Sequence, residues 1–96
     1  MKNYTYYDNK LKQDLEIKVG ENAQENWDLI SSSLKTDIWF HLDKHSSAHV
    51  VITVPLNKKI EDLSTSSILY AALLCKNSSK QNKVIKIGVI YTYIKY

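Results

Sequence analysis

Residues 37–54 read DIWFHLDKHSSAHVVITV, and this stretch decides the fold because two β-type runs flank a short polar centre. Apolar residues occupy every second position of the first run, Ile38–Leu42, and aliphatic residues do the same in the second run, His49–Val54. Alternation with a period of two gives a strand two different faces. The stretch therefore predicts a β-hairpin that turns one aliphatic face toward the core.

The register of this hairpin follows from matching the two aliphatic faces. A register that pairs Phe40 with Val50 or Ile52 leaves a loop of about five residues, whereas the opposite register would put a histidine beside a leucine on the core side, which burial disfavours. The other face and the loop tip then present an indole, imidazoles, hydroxyls and a lysine, from Trp39, His41, Lys44, His45, Ser46, Ser47 and His49. Such side chains can stack on a base or hold a phosphate. The alternative is that Trp39 packs beneath the first helix, with His41 hydrogen-bonded inside.

Three further strands and two helices surround the hairpin. The predicted elements are strands Tyr4–Tyr7 and Leu15–Val19, a helix Ala23–Leu34, the two hairpin strands, a helix Thr65–Lys76 and a last strand Lys83–Tyr96. The first helix has Trp27, Ile30 and Leu34 at helical spacing. The second helix, with Asp62 or Ser64 as its N-cap, is apolar around most of its circumference, so we expect it to be largely buried. The order β-β-α-β-β-α-β predicts an α+β fold with a mainly antiparallel sheet of about five strands and two helices.

Length and composition restrict the class of protein. A chain of 96 residues suffices for one core, so we expect residues 1–96 to form a single domain. The lone cysteine, Cys75, excludes an internal disulfide and is typical of a reducing compartment, which predicts a cytoplasmic or nuclear address. The longest apolar run, Ile68–Cys75, is too short to cross a bilayer, and the polar N-terminus does not resemble a signal peptide.

The charges are distributed unevenly along the chain. The net charge is +3, yet residues 63–96 contain five lysines and no acidic residue. An acid-free segment of this kind creates a positive field that attracts an anionic partner, although a basic face can also serve solubility alone. Every basic residue is lysine, which suits phosphates, whereas arginine is the usual reader of guanine edges. Any nucleic-acid contact is therefore expected at the backbone.

The hairpin carries residue types that suit two other kinds of chemistry. It holds four residues of the types that bind metals, His41, Asp43, His45 and His49. Three or four ligands would have to converge in a tetrahedron, whereas His45 lies at the loop tip. Serines beside a histidine also suggest a nucleophile, but no GxSxG elbow is present. With only Gly20 and Gly88, a glycine-rich phosphate loop is excluded. We therefore expect neither a metal, nor a cofactor, nor an enzyme.

A protein-interaction adaptor without direct nucleic-acid binding is the main alternative function. The chain contains seven tyrosines, several of them near its two ends, and tyrosine is favoured at protein interfaces. An exposed last strand can also accept a strand from a partner. The simpler interpretation is that Tyr91 and Tyr93 pair across the sheet.

The string DIWFHLDKHSSAHV resembles the signature of the NFACT-R (NFACT RNA-binding) domain family, and within it the stand-alone eukaryotic branch that includes coiled-coil domain-containing protein 25. The match continues through residues 19–20, 25–30, 60–62, 71–73, 76–78 and 89–92. The resemblance implies an α+β domain that binds RNA, with DNA as the second candidate. In larger relatives the domain belongs to factors that engage the large ribosomal subunit and tRNA during quality control of stalled nascent chains, so it also implies a link to translation and the ribosome.

The family's motif positions can be carried over residue by residue. They fall on Asp37, Trp39, Phe40, His41, Lys44, Ser46, Ser47, His49, Lys76, Ser78, Tyr91 and Thr92. With two lysines of the acid-free segment added, the expected nucleic-acid contacts are Trp39, His41, Lys44, Ser46, Ser47, His49, Lys76, Ser78, Lys80, Lys83, Tyr91 and Thr92. The chain departs from the family in having Glu21 where a basic residue often follows the glycine. Relatives also continue into further sheet and a long charged helix, so a chain that stops at Tyr96 is expected to be either a compact or an incomplete form.

Overall fold

The computed structural model describes residues 1–42, 48–78 and 89–94. Its strands are β1 (Lys2–Asp8), β2 (Gln13–Gly20), β3 (Ile38–Leu42), β4 (His49–Thr53) and β5 (Val89–Tyr93), and its helices are α1 (Ala23–Ser32) and α2 (Thr65–Asn77), with a 3-10 turn at Ile60–Asp62. The strands form one sheet in the order β1-β2-β4-β3-β5, and every neighbouring pair is antiparallel. The predicted α+β class and the predicted element order are confirmed.

The hairpin register is the one that burial favours. Phe40 lies opposite Val50, and Ile38 lies opposite Ile52. All four of these side chains are 0% exposed, because this pairing collects the aliphatic residues of both strands on one face. We call this face of the sheet the core face and the other the polar face.

Helix α2 covers the core face. Ala71 and Cys75 are fully buried in the same apolar cluster as Phe40, and the rings of Tyr6 and Tyr70 stack with centroids 4.4 Å apart. The buried cluster consists of Leu15, Ile17, Val19, Ile38, Phe40, Leu42, Ala48, Val50, Ile52, Val54, Leu63, Ala71 and Cys75. One contiguous core therefore joins β2, β3 and β4 to α2.

The prediction that α2 is largely buried was wrong. Only Ser67, Ala71 and Cys75 are buried on this helix, whereas Leu69 and Leu73 are 57% and 48% exposed. The three buried residues are small and spaced four apart, so they share one side of the helix and allow it to approach the sheet closely. Nothing in the described part of the chain forms a second layer over the outer side.

The Asp8 carboxylate joins the start of α2 to the turn after β1. One of its oxygens accepts the backbone N–H groups of Lys10 and Leu11 at 2.9 and 2.8 Å. The other accepts the N–H of Ser64, the N-cap of α2, at 2.7 Å and the hydroxyl of Ser67 at 2.6 Å. Burial alone would raise the pKa of Asp8, but these hydrogen bonds outweigh it and lower the pKa to about 2.

Helix α1 lies on the polar face. Gly20 belongs to that face, and a Cβ built on it would approach the side-chain oxygen of Asn26 to 2.6 Å, so the helix begins directly above β2. The helix contacts β2 and β4. Its one buried residue is Leu29, and Val51 of the polar face is only 2% exposed. The sheet is thus covered by α2 on one side and partly by α1 on the other.

Helix α1 is shorter than predicted, and its apolar stripe does not face the sheet. It ends at Ser32, because the Ser33 hydroxyl donates to the carbonyl of Leu29 at 2.6 Å and the N–H of Leu34 donates to Asp37 at 2.9 Å. Trp27 and Leu34 are 68% and 65% exposed. Leu29 is the side chain that α1 buries.

Strand β5 is the fifth strand of the sheet and pairs with β3, with Tyr91 opposite Phe40 and Thr92 opposite Trp39. Residues 83–88 and 95–96 of the predicted last strand lie outside the described residues. In the part of the chain that the structure describes, none of the helices has the length and apolarity to span a membrane.

Candidate nucleic-acid interface

Three aromatic rings form a continuous cluster on the polar face, beside the area covered by α1. The rings of Trp39 and His41 stack with centroids 4.3 Å apart and planes inclined by 27°. His49 approaches Trp39 edge-on, with centroids 5.3 Å apart, and the two imidazoles are 6.3 Å apart. All three side chains are half-buried. We call this the three-ring cluster.

The alternation that builds the core also builds this cluster. Trp39 and His41 flank the buried Phe40 in sequence, so they must project from the opposite face of β3. The observed register pairs Trp39 with Val51 and, continued by two residues, brings His41 opposite His49. The cluster therefore lies at the hairpin end of the sheet, where β2 also ends at Gly20.

Two polar atoms of the cluster have no hydrogen-bond partner among the described residues. They are the indole nitrogen of Trp39 and Nδ1 of His49, and both are buried. Leaving such a group unpaired costs about 1–3 kcal/mol, and in folded proteins a ligand or an ordered water commonly satisfies it. By contrast, Nδ1 of His41 lies 3.2 Å from the carbonyl of Leu42. The cluster thus retains unused hydrogen-bonding capacity beside its stacked rings.

The electrostatics of the cluster favour neutral imidazole at His49. Burial lowers the pKa of His49 from its usual 6.5, and the charge of nearby His41 lowers it further. Near neutral pH the His49 imidazole is therefore neutral.

The expected contact residues fall into four groups. Trp39, His41, His49 and Thr92 share the polar face. Tyr91 lies on the core face, where its ring stacks on Phe40 with centroids 5.4 Å apart. Lys76 and Ser78 stand at the end of α2. Lys44, Ser46, Ser47, Lys80 and Lys83 lie outside the described residues.

The end of α2 nevertheless comes close to the hairpin. The thiol of Cys75 donates to the carbonyl of Ala48 at 3.4 Å, and Ala48 precedes the strand that carries His49. Lys76 is therefore at the same end of the sheet as the three-ring cluster, although α2 packs on the other face. A ligand that reaches both has to pass over the hairpin end.

Two of the family's motif positions have structural roles here. Phe40 is fully buried in the core. Asp37 is 3% exposed, and its two oxygens accept the backbone N–H groups of Leu34 at 2.9 Å and Val54 at 3.1 Å. These contacts tie the segment after α1 to the end of β4, which explains an acidic residue at the start of the signature without any ligand.

Sequence reasoning missed the role of Asn26. Its side-chain oxygen accepts the backbone N–H of His49 at 3.2 Å, so α1 helps to hold one member of the cluster. The sequence offered the family match over residues 25–30 and the presence of Gly20 near an asparagine. That signal is weak, because the close approach becomes visible only once α1 has been placed on the polar face.

The metal hypothesis rested on His41, Asp43, His45 and His49. Asp43 and His45 lie outside the described residues. Among residues 1–42, 48–78 and 89–94, no three His, Cys, Asp or Glu side chains converge as a metal site would need.

Comparisons with known proteins agree on one family. Residues 3–95 match the model of the NFACT protein RNA binding domain. Coiled-coil domain-containing protein 25 of Mus musculus is 42% identical over 77 residues, which are 79% of this chain and 37% of that protein. The protein of the same name from Danio rerio is 40% identical over 77 residues, with the same coverage. Protein JLP2 of Saccharomyces cerevisiae is 36% identical over 81 residues, which are 80% of this chain and 39% of that protein.

A solved structure supports the fold. The C-terminal part of the fibronectin/fibrinogen-binding protein from Streptococcus suis superposes with a TM-score of 0.76 and 27% identity, over 99% of this chain and 36% of that one. The chain spans little more than a third of the length of these curated relatives and of that structure.

Proposed function

The chain belongs to the NFACT protein RNA binding domain family, and on that premise we propose that it binds RNA through the three-ring cluster and through lysines that include Lys76 at the hairpin end of the sheet. The observation that carries the proposal is the stacked pair of Trp39 and His41, beside buried polar atoms that have no partner among the described residues. Aromatic side chains on a sheet surface are a common platform for RNA bases.

Lysines would supply the contacts to phosphates. Lys76 is at the hairpin end, and Lys80 and Lys83 follow it in the acid-free segment 63–96. Lys44 lies between the two strands that carry the cluster. Because lysine binds phosphate as a point charge, these residues would add affinity and position the backbone without reading base sequence.

Binding measured against salt concentration tests the proposal. Fluorescence anisotropy of labelled single-stranded RNA, duplex RNA and single-stranded DNA should detect binding at low salt. The affinity should fall by about 0.7 log units per log unit of salt for each phosphate contacted on a single strand. Changing Lys76, Lys80 and Lys83 together to glutamate should abolish binding, and His41→Ala should weaken it.

A matched triple variant controls for the change in net charge. Lys12, Lys35 and Lys58 are all exposed and lie in the segments at the other end of the sheet. Changing these three to glutamate alters the net charge equally and should leave most of the affinity. If the wild-type protein shows no binding at low salt, the RNA proposal fails and the adaptor alternative takes its place. An equal loss of RNA affinity in both triple variants would mean that net charge alone, and not the position of the lysines, determines binding.

Three broader proposals depend on the first. We propose that the site binds a ligand and does not catalyse a reaction, because its described members are stacked aromatic rings. We propose RNA rather than DNA as the preferred ligand because the family is an RNA-binding one. The measurement with single-stranded DNA tests this preference. The proposed link to translation rests on the resemblance to larger relatives, and the proposed cytoplasmic or nuclear address rests on the lone cysteine. Co-sedimentation of the intact protein with ribosomal subunits would support that link, and sedimentation with the free proteins would refute it.

A further inference from the structure

Trp27 is an exposed tryptophan on α1, and its neighbours in the helix show which way it points. Glu25 is held toward β1, because its carboxylate contacts the amino group of Met1 at 2.6 Å. Asn26 is turned down to the sheet, where it meets Gly20 and His49. Successive helical residues are about 100° apart. Trp27 must therefore project from the flank opposite to Glu25.

That flank faces the three-ring cluster. The strand order places β4 and then β3 on the side of β2 that is away from β1. Helix α1 covers β2 and β4, so the next part of the polar face along this direction is β3, with Trp39 and His41. Because Asn26 bonds to His49, Trp27 stands at the level of the hairpin end. With this order of elements, the α1 flank would be the wall and the β3 surface the floor of a trough.

We propose that Trp27 is a second stacking platform, and that the trough between α1 and β3 takes unpaired bases of single-stranded RNA in preference to duplex. This inference rests on the proposed RNA binding and deepens it. Trp27 is 68% exposed and belongs to an apolar stripe that the core does not use. Stacking of one base on an aromatic side chain contributes about 1–3 kcal/mol. A duplex keeps its bases stacked inside and cannot offer them to the trough.

Two other observations point to the same ligand. The buried nitrogens of Trp39 and His49 have no partner in the described chain, and a base edge offers both donors and acceptors to such atoms. Asp28 follows Trp27 and accepts a bond from Gln24 at 2.9 Å, which puts a carboxylate on the outer side of the wall. Phosphates would be repelled there, so the bases point into the trough and the backbone runs toward the lysines of the hairpin end.

Affinity for single-stranded and duplex RNA, measured on the same variants, tests the inference. Trp27→Ala should weaken binding of single-stranded RNA about fivefold or more and leave the weaker duplex binding unchanged. Trp27→Phe should keep most of the affinity because it keeps a ring. Leu56→Ala removes an even more exposed apolar side chain, 88% exposed, from a segment after β4 and should change neither affinity. Because Trp27 is exposed, its variants should have the same midpoint of urea unfolding as the wild-type protein.

Tryptophan fluorescence gives a direct second measurement. In the Trp39→Phe variant Trp27 is the only tryptophan, since the chain contains two, and single-stranded RNA should quench its emission. Wild-type affinity in Trp27→Ala, with weakened binding in His41→Ala, would overturn the role of Trp27 and leave RNA binding standing. Equal weakening for both RNAs would overturn the preference for single strands. Absence of binding by the wild-type protein would overturn RNA binding itself.

Discussion

The side-chain oxygen of Asn26 on α1 accepts the backbone N–H of His49 on β4 at 3.2 Å. This bond connects α1, the helix on the polar face, to a member of the three-ring cluster. The bond lies at the boundary between the part of the polar face that α1 covers and the part that carries the cluster. The position of α1 is therefore part of the candidate site.

Gly20→Ala should disturb that position. The added Cβ would lie 2.6 Å from the Asn26 side-chain oxygen and 3.0 Å from its backbone nitrogen, and the backbone atom can move only with the helix. Overpacking of this kind costs about 1–3 kcal/mol of unfolding free energy, measurable by urea denaturation. The amide resonance of His49 should shift as well. Ser31→Ala, at an exposed position of α1, is the control, and wild-type stability in Gly20→Ala would show that the contact is not tight.

Asp8→Asn should destabilise the protein, and the loss should depend on pH. The pKa of Asp8 is lowered from 3.8 to about 2, so its ionised form stabilises the fold above about pH 4. That contribution, on the order of 2 kcal/mol, disappears as the pH falls from about 4 through 2. The stability difference between wild type and variant should shrink over this range in urea titrations. Asp14→Asn, an exposed acid on β2, should show no such dependence, and a constant difference for Asp8→Asn would contradict the prediction.

Asp37→Asn should lower stability without removing RNA affinity from the folded protein. An amide oxygen can still accept one backbone N–H, but its NH2 group then faces the other donor, from Leu34 or Val54. We expect a loss of about 1–3 kcal/mol, measured by urea denaturation beside Asp14→Asn. RNA affinity should be compared under conditions where the variant is fully folded. A large loss of affinity with unchanged stability would make Asp37 a ligand contact instead.

His49 should make the fold less stable in mild acid. Burial and the charge of His41 lower the pKa of His49 below its ordinary 6.5, so the unfolded chain takes up this proton first. Stability should therefore begin to fall as the pH drops below about 6.5 and level off below the folded pKa. His41→Gln removes the charge of His41 but leaves His49 half-buried, so it should raise the His49 pKa part of the way toward 6.5. An NMR titration of the imidazole resonances checks this, and an unchanged pKa would rule out the coupling.

Part of the candidate site was predictable because it depends on local alternation. Trp39 and His41 had to share a face once Phe40 was assigned to the core, and burial then selected the register that brings His49 opposite. The structural role of Asp37 was harder to predict from the sequence. The family resemblance singled it out as a motif position, but only the contacts to Leu34 and Val54 show that its role is to hold two segments together.

The sequence by itself determined the element order, the two faces of the hairpin and its register, because these follow from a period of two residues and from the burial of aliphatic side chains. The tertiary structure decided which sides of the helices are covered. Trp27, Ile30 and Leu34 recur at helical spacing, yet the helix lies on Leu29, and Gly20 lets Asn26 approach β2. Leucines suggested a buried α2, yet Ser67, Ala71 and Cys75 face the sheet because small side chains permit the closest packing. Hydrophobicity specifies that a side chain can be buried, and only the packing of neighbouring elements specifies whether something covers it.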